Sequence, residues 1–178
     1  MSFADADGGN VNPDIAMGGG YGRNCQSAVV AYVARRKGWD VQAIPAMPGS
    51  VCEHLSRDVS MAWRHANGSY VSRLDYEDFG RGRSPKEMQK AMESRIAQGR
   101  IYTIDFSWKG GGGHICILER DGSGNMLIYD AQGSQVLQGE RMMAMLSMVD
   151  AGQDVMLLDV TDLELDRWVA ENILRAAR

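Results

Sequence analysis

"RIYTIDFSWKGGGGHICILERDGSGNMLIYDA", residues 100–131, holds three runs of β-branched, aromatic and aliphatic residues split by "KGGGG" and "DGSG". Such runs, bounded by Gly, Asp and Ser clusters, read as strands over 100–108, 114–120 and 125–131. Connections this short join antiparallel neighbours, so the stretch predicts an antiparallel meander. Just upstream, "RGRSPKEMQKAMESRIAQG" reads as a helix. Ser84 caps it, Pro85 takes the first turn, Glu87 completes a capping box and Gly99 stops it.

The pattern extends outward on both sides. Asn24 stands as N-cap of a helix from Cys25 to about Lys37, with Gly38 as its C-terminal stop. Arg35, Arg36 and Lys37 fall in its last turn, where cations suit the helix dipole. The run Ala28–Ala34 leaves little polar face, which predicts a helix wrapped by the rest of the domain. "WDVQAI" at 39–44 alternates as a short strand, a helix is expected around 51–65, and Asn67-Gly68 marks a turn. Downstream come a Met-rich helix near 140–149, a strand near 154–160 and an amphipathic helix at 163–177. Met142, Met143, Met145 and Met148 are expected to fill core. One helix first, a sheet later and a helix last make an α+β arrangement.

Composition bounds the function. The 178 residues suit a single domain, expected over 17–178 behind a flexible segment 1–16 or a cut from a longer chain. Net charge is −4, which disfavours a generic nucleic-acid binder. No apolar run approaches the ~20 residues of a membrane span, and "MSFADADGGNVNP" lacks the basic and apolar regions of a secretory signal. Three cysteines, Cys25, Cys52 and Cys116, cannot all pair, so reduced thiols are the expectation. Cys52 and Cys116 read as packing residues. "CEH" at 52–54 offers no metal-ligand spacing, so no metal is expected. Neither glycine cluster is followed by G-K-[ST], so both read as active-site loops rather than phosphate loops. No cofactor is implied.

The candidate chemistry centres on Cys25. A cysteine nucleophile needs a populated thiolate, a base within hydrogen-bond reach and a third group to orient the base. A helix N-terminus favours the thiolate through its dipole, and its free N–H groups suit an oxyanion. His114 opens a predicted strand after four glycines, and Gly113 keeps the space beside it open. Asp130 ends the next strand, and a tight hairpin through Asp121–Gly124 would bring it to the same end as His114. Cys25 as nucleophile, His114 as base and Asp130 as orienter follow the papain-type order. The N–H of Cys25, helped by the side chain of Asn24 or Gln26, would hold the oxyanion.

"NVNP", "NCQSAVVAYVARRKGWDVQA", "SWKGGGGHICILER" and "YDAQG" together resemble the papain-fold toxin domains at the C-termini of bacterial polymorphic toxins, a group with members similar to glutamine deamidase effectors. The resemblance spans about residues 10–135 and implies a papain-like fold, its N-terminal catalytic helix packed on an antiparallel sheet with a C-terminal helix. It implies the same triad, with Gln132 a motif residue near the site. Position 131 is Ala where the pattern usually has Pro, and position 28 is Ala where many relatives carry a second Cys. The implied activity is deamidation of a protein glutamine through an acyl-thioester. The same triad would also serve a cysteine protease or a transglutaminase, and a catalytically silent binding module is the alternative outside enzymes. The resemblance further implies delivery into a target cell's cytoplasm by a bacterial secretion system, a protein substrate there, and a cognate immunity protein.

Overall fold

The computed structural model describes residues 6, 10–55 and 59–177. It is a mixed α+β structure of two compact units interleaved in sequence. One gathers the chain up to residue 72 with 130–135 and 162 onward; the other holds 73–129 and 136–161.

In the first unit, α1 (Cys25–Arg36) is buried from Gln26 through Arg35, as its nearly continuous apolar run predicts. Asn24 does stand at the N-cap position, yet its side chain makes no capping bond. At the other end the buried Arg35 is satisfied by Ala6 O (2.9 Å), Asp40 Oδ1 (3.1 Å) and Val41 O (3.2 Å). Strand β1 (Val41–Ala43) follows, then the short helix α2 (Val51–Leu55) and strand β2 (Trp63–Arg64). The helix expected over 51–65 is therefore one short helix and a 3-10 turn at Val59–Ala62; residues 56–58 lie outside the described residues.

The flexible segment expected at 1–16 lies outside the described residues at 1–5 and 7–9. Ala6, Val11 and Asn12 are buried, and Val11 O accepts from Ala43 N–H at 2.8 Å.

The second unit carries helix α3 (Pro85–Arg95) and most of a six-stranded sheet. The Ser84 capping box is present, with Glu87 Oε2 accepting from Ser84 N–H at 2.8 Å. The helix stops at Arg95 rather than Gly99, because Ile96 turns extended and buries its side chain. The meander appears as β4 (Ile101–Ser107), β5 (Gly113–Arg120) and β6 (Met126–Asp130). Three further strands complete the sheet: β3 (Glu77–Asp78), β7 (Gln135–Leu137) and β8 (Met156–Asp159), in the order β3-β8-β4-β5-β6-β7. Residues facing each other across β4 and β5, such as Tyr102 and Leu118 or Ile104 and Cys116, share one face. That face forms a core with Met88 and Met92 of α3 and with Met142, Met145 and Leu146 of helix α4 (Gly139–Met148). Each fully buried side chain of this kind contributes roughly 1.5–3 kcal/mol. Met148, expected in the core, is instead 54% exposed, because it ends α4 off the buried stripe.

The expected C-terminal helix over 163–177 is the largest departure. Only Arg167–Ile173 is helical, as α5, preceded by β9 (Glu164–Leu165) and followed by β10 (Leu174–Ala176). Asp166 caps α5 by accepting from Val169 N–H at 2.8 Å, which fixes its start at Arg167, four residues late. Beyond Ile173 the chain pairs antiparallel with β1, Leu174 opposite Ala43 and Ala176 opposite Val41. Ladder bonds to β1 thus replace continued helix.

Candidate functional site

The N-terminus of α1 is built from three separate stretches of the first unit. A glycine-rich turn leads into it, and Gly20 is required there: a Cβ at that position would lie 2.8 Å from Ala46 O and 2.9 Å from Pro45 Cβ. Ala46 N–H in turn donates to Gly20 O at 3.0 Å. The buried Asn24 then spends both amide hydrogens, one on Asn12 Oδ1 and one on Ile44 O, each at 3.0 Å. Asn12 is itself buried and donates from Nδ2 to Gln132 O at 2.9 Å. Residues 12, 24 and 132 are thereby joined by amide hydrogen bonds.

Gln132 completes the helix end. Its side-chain amide faces the first N–H groups of α1. With Nε2 turned toward them, donor meets donor, and the one compensating bond runs to Asn24 Oδ1 at 3.3 Å. With Oε1 turned toward them, that oxygen accepts from the N–H groups of Asn24 (2.9 Å), Cys25 (3.1 Å) and Arg23 (3.2 Å). Several backbone donors at a helix end, where the dipole is positive, outweigh one side-chain acceptor, so the second orientation is assigned. Gln132, rather than Asn24, is the side chain that caps the Cys25 helix.

Asp130, the last residue of β6, organises the turn that presents Gln132. Its Oδ1 accepts from Gln132 N–H at 3.1 Å and Gly133 N–H at 3.4 Å, an Asx turn. Ala131, where the resembling pattern usually has Pro, is buried between them. Ser134 closes the turn with a φ of 51°.

The three thiols differ in access. Cys25 is partly exposed, whereas Cys52 and Cys116 are buried. Burial pushes the Cys52 thiol up, with the nearby Cys25 adding to the effect and a hydrogen bond to Ser27 Oγ (3.5 Å) opposing it. A thiol so placed resists ionisation and is a packing residue. Gln26 is buried beside Cys25, and its Oε1 has no hydrogen-bond partner among the described residues.

In the second unit, His114 is the second residue of β5, directly opposite Phe106 of β4. Its ring is stacked on Trp108 (centroids 5.5 Å apart, 26° between planes) and meets Phe106 edge-on at 5.9 Å. Aromatic contacts of these two kinds hold the imidazole plane in one orientation. The glycine loop that precedes it is a tight turn. Trp108 N–H donates to Gly112 O at 2.9 Å, and Gly111 and Gly112 take φ values of 90° and 83° that side chains disfavour. Gly113 is exposed at the start of β5.

Asp105 is the main electrostatic anomaly of the sheet. It stands opposite Ile115, one register step from the Phe106–His114 pair. Burial pushes its carboxyl up to about 6, against the pull of the His114 charge, a hydrogen bond from Phe106 N–H and the charge of Arg73.

Asn24, Cys25 and Gln132 are thus brought together with the Asp130 turn in one unit, and Gln26 is buried next to them. His114 and Gly113 stand in the other. Asn12, Trp108 and Asp105 were missed by sequence reasoning. Asn12 sits in a Gly/Asp/Asn-rich lead-in that reads as irregular, and Trp108 and Asp105 sit in a strand where composition gives the element but no role. A visible signal for Asp105 was a lone carboxylate in an otherwise apolar run. Two sizeable concavities are lined by none of these residues. One, of about 520 Å³, is lined by Gln89, Glu93, Arg120 and Gln138; the other, of about 510 Å³, by Trp39, Val41, Leu165 and Leu174. Among the described residues no helix is long and apolar enough to cross a membrane. No protein-family model matches the chain, and no curated protein matches it.

Proposed function

We propose that this chain is a papain-like cysteine amidohydrolase that deamidates a glutamine side chain of a protein, acting as a bacterial toxin or effector domain. Cys25 is the nucleophile, His114 the base and Asp130 its orienter. One observation carries the reading: the single partly exposed thiol is the first residue of a buried twelve-residue helix, and the motif that contains Asp130 supplies that helix's cap through Gln132. Two stretches more than a hundred residues apart in sequence therefore meet at Cys25.

In the reaction, the Cys25 thiolate attacks the substrate carboxamide carbon and forms a C–S bond. The resulting oxyanion takes the N–H of Cys25. His114, carrying the thiol's proton, protonates the departing nitrogen, and ammonia leaves an acyl-thioester. Water then attacks as His114 accepts its proton, releasing glutamate and regenerating the thiol. Trp108 and Phe106 keep the imidazole in one plane through both proton transfers. The chemistry requires the Cys25 sulfur and the His114 ring within hydrogen-bond reach in the working enzyme. A domain of this kind enters a target cell's cytoplasm through a secretion system, and its producer needs an immunity protein that covers Cys25.

The test is to express the wild type and Cys25→Ala in a bacterial and a eukaryotic host and compare the proteomes by peptide mass spectrometry. Site-specific glutamine-to-glutamate changes found with the wild type alone are expected. New chain termini would make the chain a protease, and glutamine-to-amine crosslinks a transglutaminase. Identical proteomes in both hosts would overturn the enzymatic reading.

A further inference from the structure

The cavity of about 520 Å³ in the second unit falls in the size range of small-molecule sites, roughly 300–1,000 Å³. Its lining residues take no part in the Cys25 chemistry. Two of them, Gln89 and Glu93, stand one turn apart on α3, and Gln89 Nε2 donates to Glu93 Oε1 at 3.0 Å. Two others, Asn125 and Gln138, come from the turn between β5 and β6 and from the head of α4. Both donate from the side-chain amide to Asp121 Oδ2, at 3.3 and 3.4 Å. The Asn125 N–H also donates to Asp121 Oδ1 at 2.9 Å, and hydrogen bonds of this kind hold the Asp121 carboxyl below the usual carboxylate range. Each of the three carboxamides thus has its nitrogen tethered to a carboxylate. Their oxygens, and the second oxygen of Glu93, accept no hydrogen bond among the described residues.

Arg120, the one cation among the lining residues, is committed to the fold. It donates to the carbonyls of Glu93 (2.8 Å), Ile96 (3.1 Å) and Gly124 (2.7 Å), closing the C-terminal end of α3, where carbonyl dipoles favour a positive charge. What remains is a surface rich in acceptors, with two carboxylates behind it against a single guanidinium. Met126 and Met142, both almost fully buried, give the same cavity an apolar patch. An ammonium group brings three donors and no acceptor, and an alkyl stem suits the methionines. The acceptors come in two groups, one anchored at Glu93 and the other at Asp121, so a chain with an ammonium at each end meets both. We propose that this cavity binds a linear alkyl polyammonium, held by Gln89 and Glu93 at one end and by Asn125 and Gln138 at the other. The site stands whether or not Cys25 is a nucleophile.

The experiment titrates the full chain with spermidine by calorimetry and follows backbone amide chemical shifts in parallel. A single saturable site is expected, with shifts at Gly124, Asn125 and Gly139, which line the cavity. Glu93→Gln keeps the shape of an exposed side chain and removes its charge. It should weaken binding about ten- to a hundredfold, the worth of one charge-assisted hydrogen bond. Glu171→Gln removes an equal charge from the other unit and should leave the affinity unchanged. Equal affinities in the two variants would mean diffuse attraction to a net-negative chain and overturn the proposal. Binding of n-butylammonium as tight as that of spermidine would overturn the two-ended site. Gly139 puts the head of α4 in the wall, so inorganic phosphate is the rival probe. Phosphate shifting these amides while spermidine leaves them in place would make the cavity an anion site. No saturable spermidine binding by the folded wild type would likewise overturn the proposal.

Discussion

Replacing Asp105 by Asn should stabilise the protein at neutral pH and do nothing in acid. Burial holds the Asp105 carboxyl at about 6 against an ordinary value of 3.8, which is worth on the order of 3 kcal/mol against the ionised form. The sign follows from proton binding. Between about pH 4 and 6 the folded state binds the proton that the unfolded state has released, so stability falls as pH rises through that window and the full cost is present above it. Asn is nearly isosteric, still offers an oxygen to the Phe106 N–H, and places its amide hydrogens at a side chain that retains some solvent contact. The favourable pull of His114 and Arg73 on the carboxylate is lost as well, so the gain is at most about 3 kcal/mol. For a chain of this size that corresponds to a rise in Tm of at most roughly 6–12 °C. Thermal unfolding of wild type and Asp105→Asn near pH 7 and near pH 4 measures it. A shift of equal size at both pH values, or a loss of stability near neutrality, would refute the electrostatic account.

Other perturbations test the packing and the cap. Gly80→Ala would set a Cβ 2.3 Å from Val155 Cβ, and overpacking of this kind costs about 1–3 kcal/mol or more; Val155→Ala should rescue it only in part, since Val155 Cβ is itself the clashing atom. Asn12→Ala removes the donor to Gln132 O and the acceptor for Asn24 Nδ2, leaving buried amide groups unpaired at about 1–3 kcal/mol, read by urea unfolding. In the native protein iodoacetamide should modify Cys25 quickly and reach Cys52 and Cys116 only on unfolding; rapid labelling of all three would contradict their burial.

Local signals carried the reading wherever an element's stability is local. The Ser84 capping box and the glycine-separated runs at 100–131 were placed within a residue or two, because caps and turns are written in adjacent residues. The region from 163 onward failed for the opposite reason. Its apolar spacing suits a helix, but the partner that straightens Leu174–Ala176 is Val41–Ala43, more than a hundred residues away, and no local pattern announces it. Asn12 was illegible in the same way, since its worth lies in contacts with residues 24 and 132. Cys25, Gln132 and the Asp130 turn were legible as motifs, and the structure adds what joins them. The Asn24 cap was a sound inference from residue type, overridden because Ile44 O and Asn12 compete for the same amide.

The surroundings of Cys25 in one unit and of His114 in the other differ in what can perturb them. Around Cys25 the groups that join the chain stretches are the amides of Asn12, Asn24 and Gln132, none of which titrates, and the one carboxylate in the network, Asp130, acts a step away through the Gln132 and Gly133 N–H groups. Beside His114 stands Asp105, a carboxyl whose titration burial has moved toward neutrality, with the imidazole's charge acting back on it. Neutral amides next to the thiol leave its ionisation to the helix end, whereas a carboxylate in direct contact would disfavour the thiolate. On the sheet a carboxylate charge at Asp105 is drawn by the His114 charge instead.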